Sequence, residues 1–177
     1  MRVYRVLPGG AAGALRPALP LPDKPSIAVL PFANMSGDPA QEYFSDGIVE
    51  EIITALSRMR SLIVIALNSS FHYKGRSINV NQVARELGVR YVLEGSIRKA
   101  ANRLRISGQL IDAETGAHLW ADRFDGDMED IFDLHDQVTA RVVGAIVPKL
   151  DEAEIERSKR KPTEDLGAYA RVTFRAQ

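Results

Sequence analysis

No cysteine occurs anywhere in the chain. That removes disulfides, thiolate nucleophiles and cysteine-ligated zinc, and it is compatible with a reducing compartment. An excess of charge of either sign is missing too: Lys+Arg and Asp+Glu both number 23. Domains that bind nucleic acid normally show a basic stripe or a positive balance, so no nucleic-acid partner is expected. Long apolar runs are also lacking. None approaches the roughly 18 residues that cross a bilayer, so no membrane span is expected. Arg2 and Arg5 precede small and apolar residues as in a signal peptide, but Pro8, Gly9, Gly10 and Arg16 break the run before an apolar segment can form. A cytoplasmic location is the resulting expectation. Histidine is scarce, and His72, His118 and His135 show no metal-ligand spacing, so each is read as a surface or turn residue.

Nucleotide-binding signatures are absent as well. The stretch "LPFANMSGDPAQEYFSDG" (30–47) runs from an apolar strand through a loop into helical spacing, as a phosphate cradle would. It has neither G-x-x-x-x-G-K-[ST] nor G-x-G-x-x-G, because Gly37 and Gly47 lie ten residues apart. Asp38, Pro39, Ala40 and Gln41 read instead as a helix cap, a proline in the first turn and a glutamine returning the capping bond. Serines 69 and 70 lack the G-x-S-x-G elbow. In "DGDMEDIFDLHD" (125–136) the carboxylates Asp125, Asp127, Glu129 and Asp136 match positions 1, 3, 5 and 12 of a calcium loop. The sixth position, where that loop needs glycine, is Asp130, and helical periodicity has already begun at Ile131. No cofactor, metal or catalytic residue is assigned.

What is present is regular patterning. "SIAVLPF" (26–32) reads as a buried strand. Phe44, Ile48, Ile52, Ala55, Leu56 and Met59 recur at helical spacing. "LIVIA" (62–66) reads as a second buried strand, followed by a polar, glycine-containing loop from 67 to 79. Val80, Val83, Ala84 and Leu87 mark a short helix that Gly88 ends in a left-handed cap. Three further strands follow from "RYVLEGSIRK", "LRISGQLIDA" and "AHLWADRFDG". Tight turns join them without an intervening helix, which predicts an antiparallel meander. Ile131, Leu134, Val138, Val142, Ala145, Ile146 and Leu150 mark a last, long helix that Pro148 should kink or interrupt. The fold class is therefore α/β (mixed α+β), ordered βαβαβββα: one mixed five-stranded sheet with helices packed against it.

Two groups of residues stand out as candidate contact sites. Asn34, Ser36 and Asp38, with Asn68, Ser69, Ser70 and Lys74, occupy loops that follow strands, where a small ligand such as a nucleotide or metabolite would bind. Trp120, Phe124 and Phe132 are the aromatics of the last strand and helix. Alternation places Trp120 on one face with Asp122 and Phe124, where it fills the core or, on an open face, anchors an interface. The basic run "ERSKRKP" (156–162) reads as a solvated helix end and linker.

"PSIAVLPFANMSGDPAQEYFSDGIVEEI", "LGVRYVLEGSIRKAANRLRISGQLIDAETGAHLWADRFDGDMEDIFDLHDQV" and "AEIERSKRKPTEDLGAY" together resemble the TolB amino-terminal-like module of bacterial signalling proteins, over residues 25 to about 169. The resemblance implies a module that joins a class III adenylate/guanylate cyclase domain, or a winged-helix DNA-binding domain, to a tetratricopeptide array. On that basis residues 1–7 are expected to be the last strand of a preceding domain and 8–25 a Pro/Gly/Ala linker. Residues 26–156 are expected to form the module, and 157–177 a basic linker and the truncated start of a repeat region. The expected chain is a fragment whose cyclase domain lies upstream, with no position matching that domain's catalytic residues. Its expected partners are the cyclase and tetratricopeptide regions of the parent protein, with a homodimer as a further state. Its expected role is regulatory and non-catalytic; small-ligand binding is the alternative.

Overall fold

A computed structural model describes residues 24–160. The expectations for residues 2–7, for the linker up to residue 23 and for the segment after 160 lie outside the described residues. The β-branched run Ser26–Val29 forms β1, buried at all four positions. Pro31 lacks an amide hydrogen and ends that pairing, after which Ala33–Asn34 (β2) re-enters the sheet. α1 spans Ala40–Ser57, and its buried residues Gln41, Phe44, Ser45, Ile48, Val49, Ile52, Ile53 and Leu56 form one unbroken stripe at three- and four-residue steps. Each buried aliphatic side chain of that stripe contributes about 1.5–3 kcal/mol of transfer free energy. β3 is Ile63–Val64, α2 is Leu67–Phe71 and α3 is Val80–Leu87. The meander is β4 (Tyr91–Ala100), β5 (Arg103–Asp112) and β6 (His118–Asp127). A 3₁₀ turn at Met128–Asp130 leads into α4, Ile131–Arg160.

The sheet order is β3–β1–β4–β5–β6, with β2 joined to β4. β1 runs parallel to both β3 and β4, while β4–β5 and β5–β6 are antiparallel. Five strands thus cross the sheet as expected, and β2 is a short sixth. α1 and α4 cover one face, over Ile27, Val29, Leu93, Ile97, Ile106, Leu110 and Phe124. On the other face a smaller cluster built on Ala28, Leu30, Val83, Ala84 and Val92 packs the loops and α3 over β1 and the start of β4.

Three local expectations change. "LIVIA" is not a buried strand: only Ile63 and Val64 pair, and Ile63 is 38% exposed, because this segment is the sheet edge with a neighbour on one side only. The polar loop after it contains α2. Pro148 does not interrupt α4, which runs continuously for 30 residues. The carbonyl that Pro148 leaves unbonded belongs to Gly144, and both residues are exposed, so that carbonyl is open to solvent. The C-cap of α3 is as read, with Gly88 left-handed at φ 69°; at the other end Asn79, placed in the loop by the sequence, caps the helix by accepting from the Asn81 amide at 2.8 Å.

Candidate functional site

The corner between β2 and α1 is closed on itself. Asn34 Nδ2 donates to the Asp38 carbonyl (2.9 Å), while Asn34 Oδ1 accepts from the Ser36 amide (3.0 Å). Ser36 Oγ accepts from the Lys99 amide of β4 (2.7 Å), and Asp38 Oδ1 from the Ala40 amide (3.0 Å). The Ala40 amide is the main cause that holds the Asp38 carboxyl below its usual range; hydrogen bonding from Gln41 and Lys99 adds to it. Gln41, expected to return a bond to the cap backbone, therefore serves the Asp38 side chain. Ser36 and Asp38 are committed to the turn.

Asn34 also has a second setting. With Phe32, Glu42, Tyr73, Lys74, Arg76 and Glu94 it lines a cleft of about 510 Å³ between the 30–34 and 73–78 segments. Lys74 crosses to α1, where it pairs with Glu42 (3.2 Å) and Asp46. The hydrogen bond that Lys74 donates to Asp46 is the largest cause raising the Lys74 pKa. Tyr73 is buried, its hydroxyl donates to Glu86 Oε1 (2.6 Å), and burial first and that carboxylate second push it up to about 12. The structure thus brings two of the seven ligand-loop residues, Asn34 and Lys74, to one cleft. Asn68 and Ser69 lie exposed on α2, and Ser70 is fully buried.

Sequence reasoning missed a buried ionic clamp. Arg90 is 0% exposed, and its Nη1 donates to both carboxylate oxygens of Glu154 on α4, at 2.9 and 2.8 Å. The Tyr91 hydroxyl donates to the same carboxylate. Burial above all, then Glu154, raises the Tyr91 pKa. The Arg90 amide is held by Ser26 Oγ (3.0 Å), so β1, β4 and α4 meet at this point. The signal was in the helical stripe: Leu134, Val138, Val142, Ile146 and Leu150 step by four, and the next place on that face is Glu154.

His135 corrects the surface reading: it lies between the helices, edge-on to Phe44 (5.3 Å between ring centres), with Nδ1 3.1 Å from Glu51. Glu51, His135 and Asp136 have ligand-type atoms within 4.8 Å of one another. The other ring nitrogen is turned against Gly47, where a Cβ would come within 2.8 Å, so the group reads as a polar contact joining α1 to α4. His72 and His118 are exposed. In the acidic run, Asp125 and Asp127 sit in β6 opposite Arg105 and Arg103, at 3.0 and 3.8 Å, and α4 starts where a calcium loop would continue. Among the interface aromatics, Phe124 is a core residue beneath Arg141, Trp120 lies half-buried over Gly108, and Phe132 is 85% exposed. No helix among the described residues is long and apolar enough to cross a membrane.

Comparison with known proteins adds three findings. The family model described as HilA/YgeH-like transcriptional regulator, second domain, matches residues 23–141. A Rhizobium meliloti (strain 1021) protein named "Putative adenylate cyclase 3" is 58% identical over 156 residues; these are 88% of this chain but 27% of that relative's length. The crystal structure of TolB from Acinetobacter baumannii superposes with a TM-score of 0.51 at 21% identity, covering 76% of this chain and 29% of that one. At that identity the likeness establishes a shared TolB-like fold.

Proposed function

Because the chain belongs to the family of second domains of HilA/YgeH-like transcriptional regulators, we propose that it is a non-catalytic regulatory module of a bacterial signalling protein. In this reading residues 26–156 link an adenylate cyclase domain to a tetratricopeptide sensor region in the cytoplasm. One observation carries it: the same stretch matches a domain of transcriptional regulators and about a quarter of a protein named as a cyclase. A module shared between two such different outputs supports a role distinct from either output.

The fold supports a coupling role. Residue 24 precedes β1, and α4 returns antiparallel to β1, so that Glu154 meets Arg90 beside Ser26. The flanking segments therefore leave from the same end of the module. Domains attached there are neighbours, and the Arg90–Glu154–Tyr91 clamp ties the exit helix to the sheet between them. The test is co-sedimentation of the purified chain with the cyclase and tetratricopeptide regions of the parent protein, beside an assay for ATP turnover with manganese. Complex formation without turnover is the expected result.

The cleft supports a second reading. Asn34, Glu42, Tyr73, Lys74, Arg76 and Glu94 converge on a space large enough for a small polar metabolite. Thermal-shift titration with nucleotides and amino acids, compared with Lys74→Ala, tests it. A ligand-dependent rise in Tm that the substitution abolishes would favour this reading.

A further inference from the structure

We infer that the uncovered face of the β4–β6 meander binds the phosphate group of a small phosphorylated ligand. The inference goes beyond the connector reading, and the site is separate from the Lys74 cleft, with which it shares the Glu94–Gly95 wall. α1 and α4 cover the face that carries Leu93, Ile97, Ile106, Leu110 and Phe124. On the opposite face the register sets three cross-strand rows: Arg98–Arg105–Asp125, Ser96–Ser107–Arg123 and Glu94–Gln109–Ala121. α3 and the loops cover that side only over β1 and the start of β4, so among the described residues nothing lies over the rows. An open cavity of about 730 Å³ spans the second and third of them.

Charge selects the occupant. In the first row two arginines stand directly opposite each other, an arrangement that costs stability. Asp125 answers only Arg105, at 3.0 Å. Arg98 and Arg123 are exposed and have no ion-pair partner among the described residues, and no hydrogen bond there takes up the hydroxyl of Ser96 or Ser107. Two strand spacings, about 10 Å, and one step along the strand, about 7 Å, separate Arg98 from Arg123, within reach of two extended side chains meeting over Ser107. Forked guanidinium donors with hydroxyls between them suit the several oxygens of a phosphate. The local field is positive: the bond from Arg105 first, with the charges of Arg123 and Arg103 adding, holds the Asp125 carboxyl below its usual range. The third row is already satisfied, since Gln109 Nε2 donates to Glu94 (2.5 Å) and Gln109 Oε1 meets His118 Nδ1 (3.1 Å). The borders limit the ligand's size. Glu94 stands on one side, and Asp125 and Asp127 on another. A nucleic acid or an anionic membrane would press further phosphates against those carboxylates, whereas one phosphate on a small molecule fits both the patch and the cavity.

Titration of the isotope-labelled full chain with inorganic phosphate, followed by amide chemical shifts, tests this. Saturable shifts should centre on Ser96, Ser107 and Arg123. Arg98→Gln with Arg123→Gln should weaken binding at least about tenfold. The melting curve should stay in place or rise slightly, because the like charge facing Arg105 is gone. Asp125→Asn, which releases Arg105 for the ligand, should tighten binding several-fold, a gain that misfolding cannot mimic. Arg103→Gln and Lys74→Ala should each bind as the wild type does. A titration that does not saturate, shifts spread over the exposed lysines, or a double arginine variant that binds like the wild type would overturn the proposal. So would loss of binding in Lys74→Ala, which would put the phosphate in the cleft. A tighter hold on duplex DNA or on phosphatidylserine vesicles than on inorganic phosphate, through the same arginines, would overturn the small-ligand assignment. The connector reading is tested by binding of the neighbouring domains, so failure here leaves it standing.

Discussion

Replacing Glu154 by alanine removes the carboxylate that takes both bonds from Arg90 Nη1, at 2.8 and 2.9 Å, and the bond from the Tyr91 hydroxyl. Arg90 is fully buried, whereas the Glu154 side chain is 21% exposed. The loss is therefore that of a carboxylate facing a fully buried guanidinium, not that of a surface pair. Breaking a buried pair from one side costs about 3–5 kcal/mol, and partial solvation of Glu154 sets the expectation at the lower end, about 3 kcal/mol. For a domain of this size that is a fall in Tm of about 10 °C. Glu154→Gln keeps an acceptor for Tyr91 but no charge for Arg90, and should lose roughly half as much. Urea unfolding followed by circular dichroism reads both values, with the m-value unchanged if only stability moves. Arg157→Ala, which removes the longer 3.6 Å contact to Glu114, is the control and should cost below about 1 kcal/mol. A loss under about 1 kcal/mol for Glu154→Ala would refute the reasoning, since the clamp would then be no stronger than a surface bridge.

Further perturbations follow from the same geometry. Gly126→Ala drives a Cβ into Leu134, whose Cδ2 would lie at 2.9 Å; it should cost about 2 kcal/mol in chemical denaturation by pushing α4 off β6. Ala101 holds φ 55° in the β4–β5 turn, a left-handed conformation that costs an alanine roughly 1 kcal/mol. Ala101→Gly should recover about half of that after the added freedom of the unfolded chain, raising Tm by about 2 °C. Tyr73 and Tyr91 have raised folded pKa values, so their contribution is complete below the ordinary tyrosine value of 10.0. It is lost as pH climbs from there through the folded values, because the unfolded chain releases protons first. Melting at increasing alkaline pH should show falling stability above that point, less steep in Tyr91→Phe.

The parts of the fold that were legible share one property: a repeating pattern long enough to fix a face. The α1 stripe, the α4 stripe and the alternation in β4–β6 are of this kind, and Gly88 marked the end of α3 because its chemistry there is local. β2 and β3 are two residues each, too short to show a period, and they exist because β4 and β1 offer open edges to pair with. α2 is one turn of helix in a polar context where propensity says little. The clamp was hidden for a different reason. Arg90 is simply the first residue of a strand in the sequence, and its partner Glu154 lies 64 residues away. Among the candidate residues, Asn34 and Lys74 were chosen for their loops, and the fold alone decides that they share a cleft. Ser36 and Asp38 show the converse: the same polar groups that suggest a ligand site also build a turn, and here the turn takes them. Phe124 and Phe132 differ only in register, since one alternates inward from β6 and the other lies outside the α4 stripe.

The most direct test of the proposed connector role is sedimentation of the purified chain with separately purified cyclase and tetratricopeptide regions, the two neighbours that the proposal assigns to it, each sample also assayed for ATP turnover with manganese. The account predicts a complex with at least one neighbour and no turnover by this chain alone. A chain that ignores both neighbours, or one that turns over ATP unaided, would contradict it.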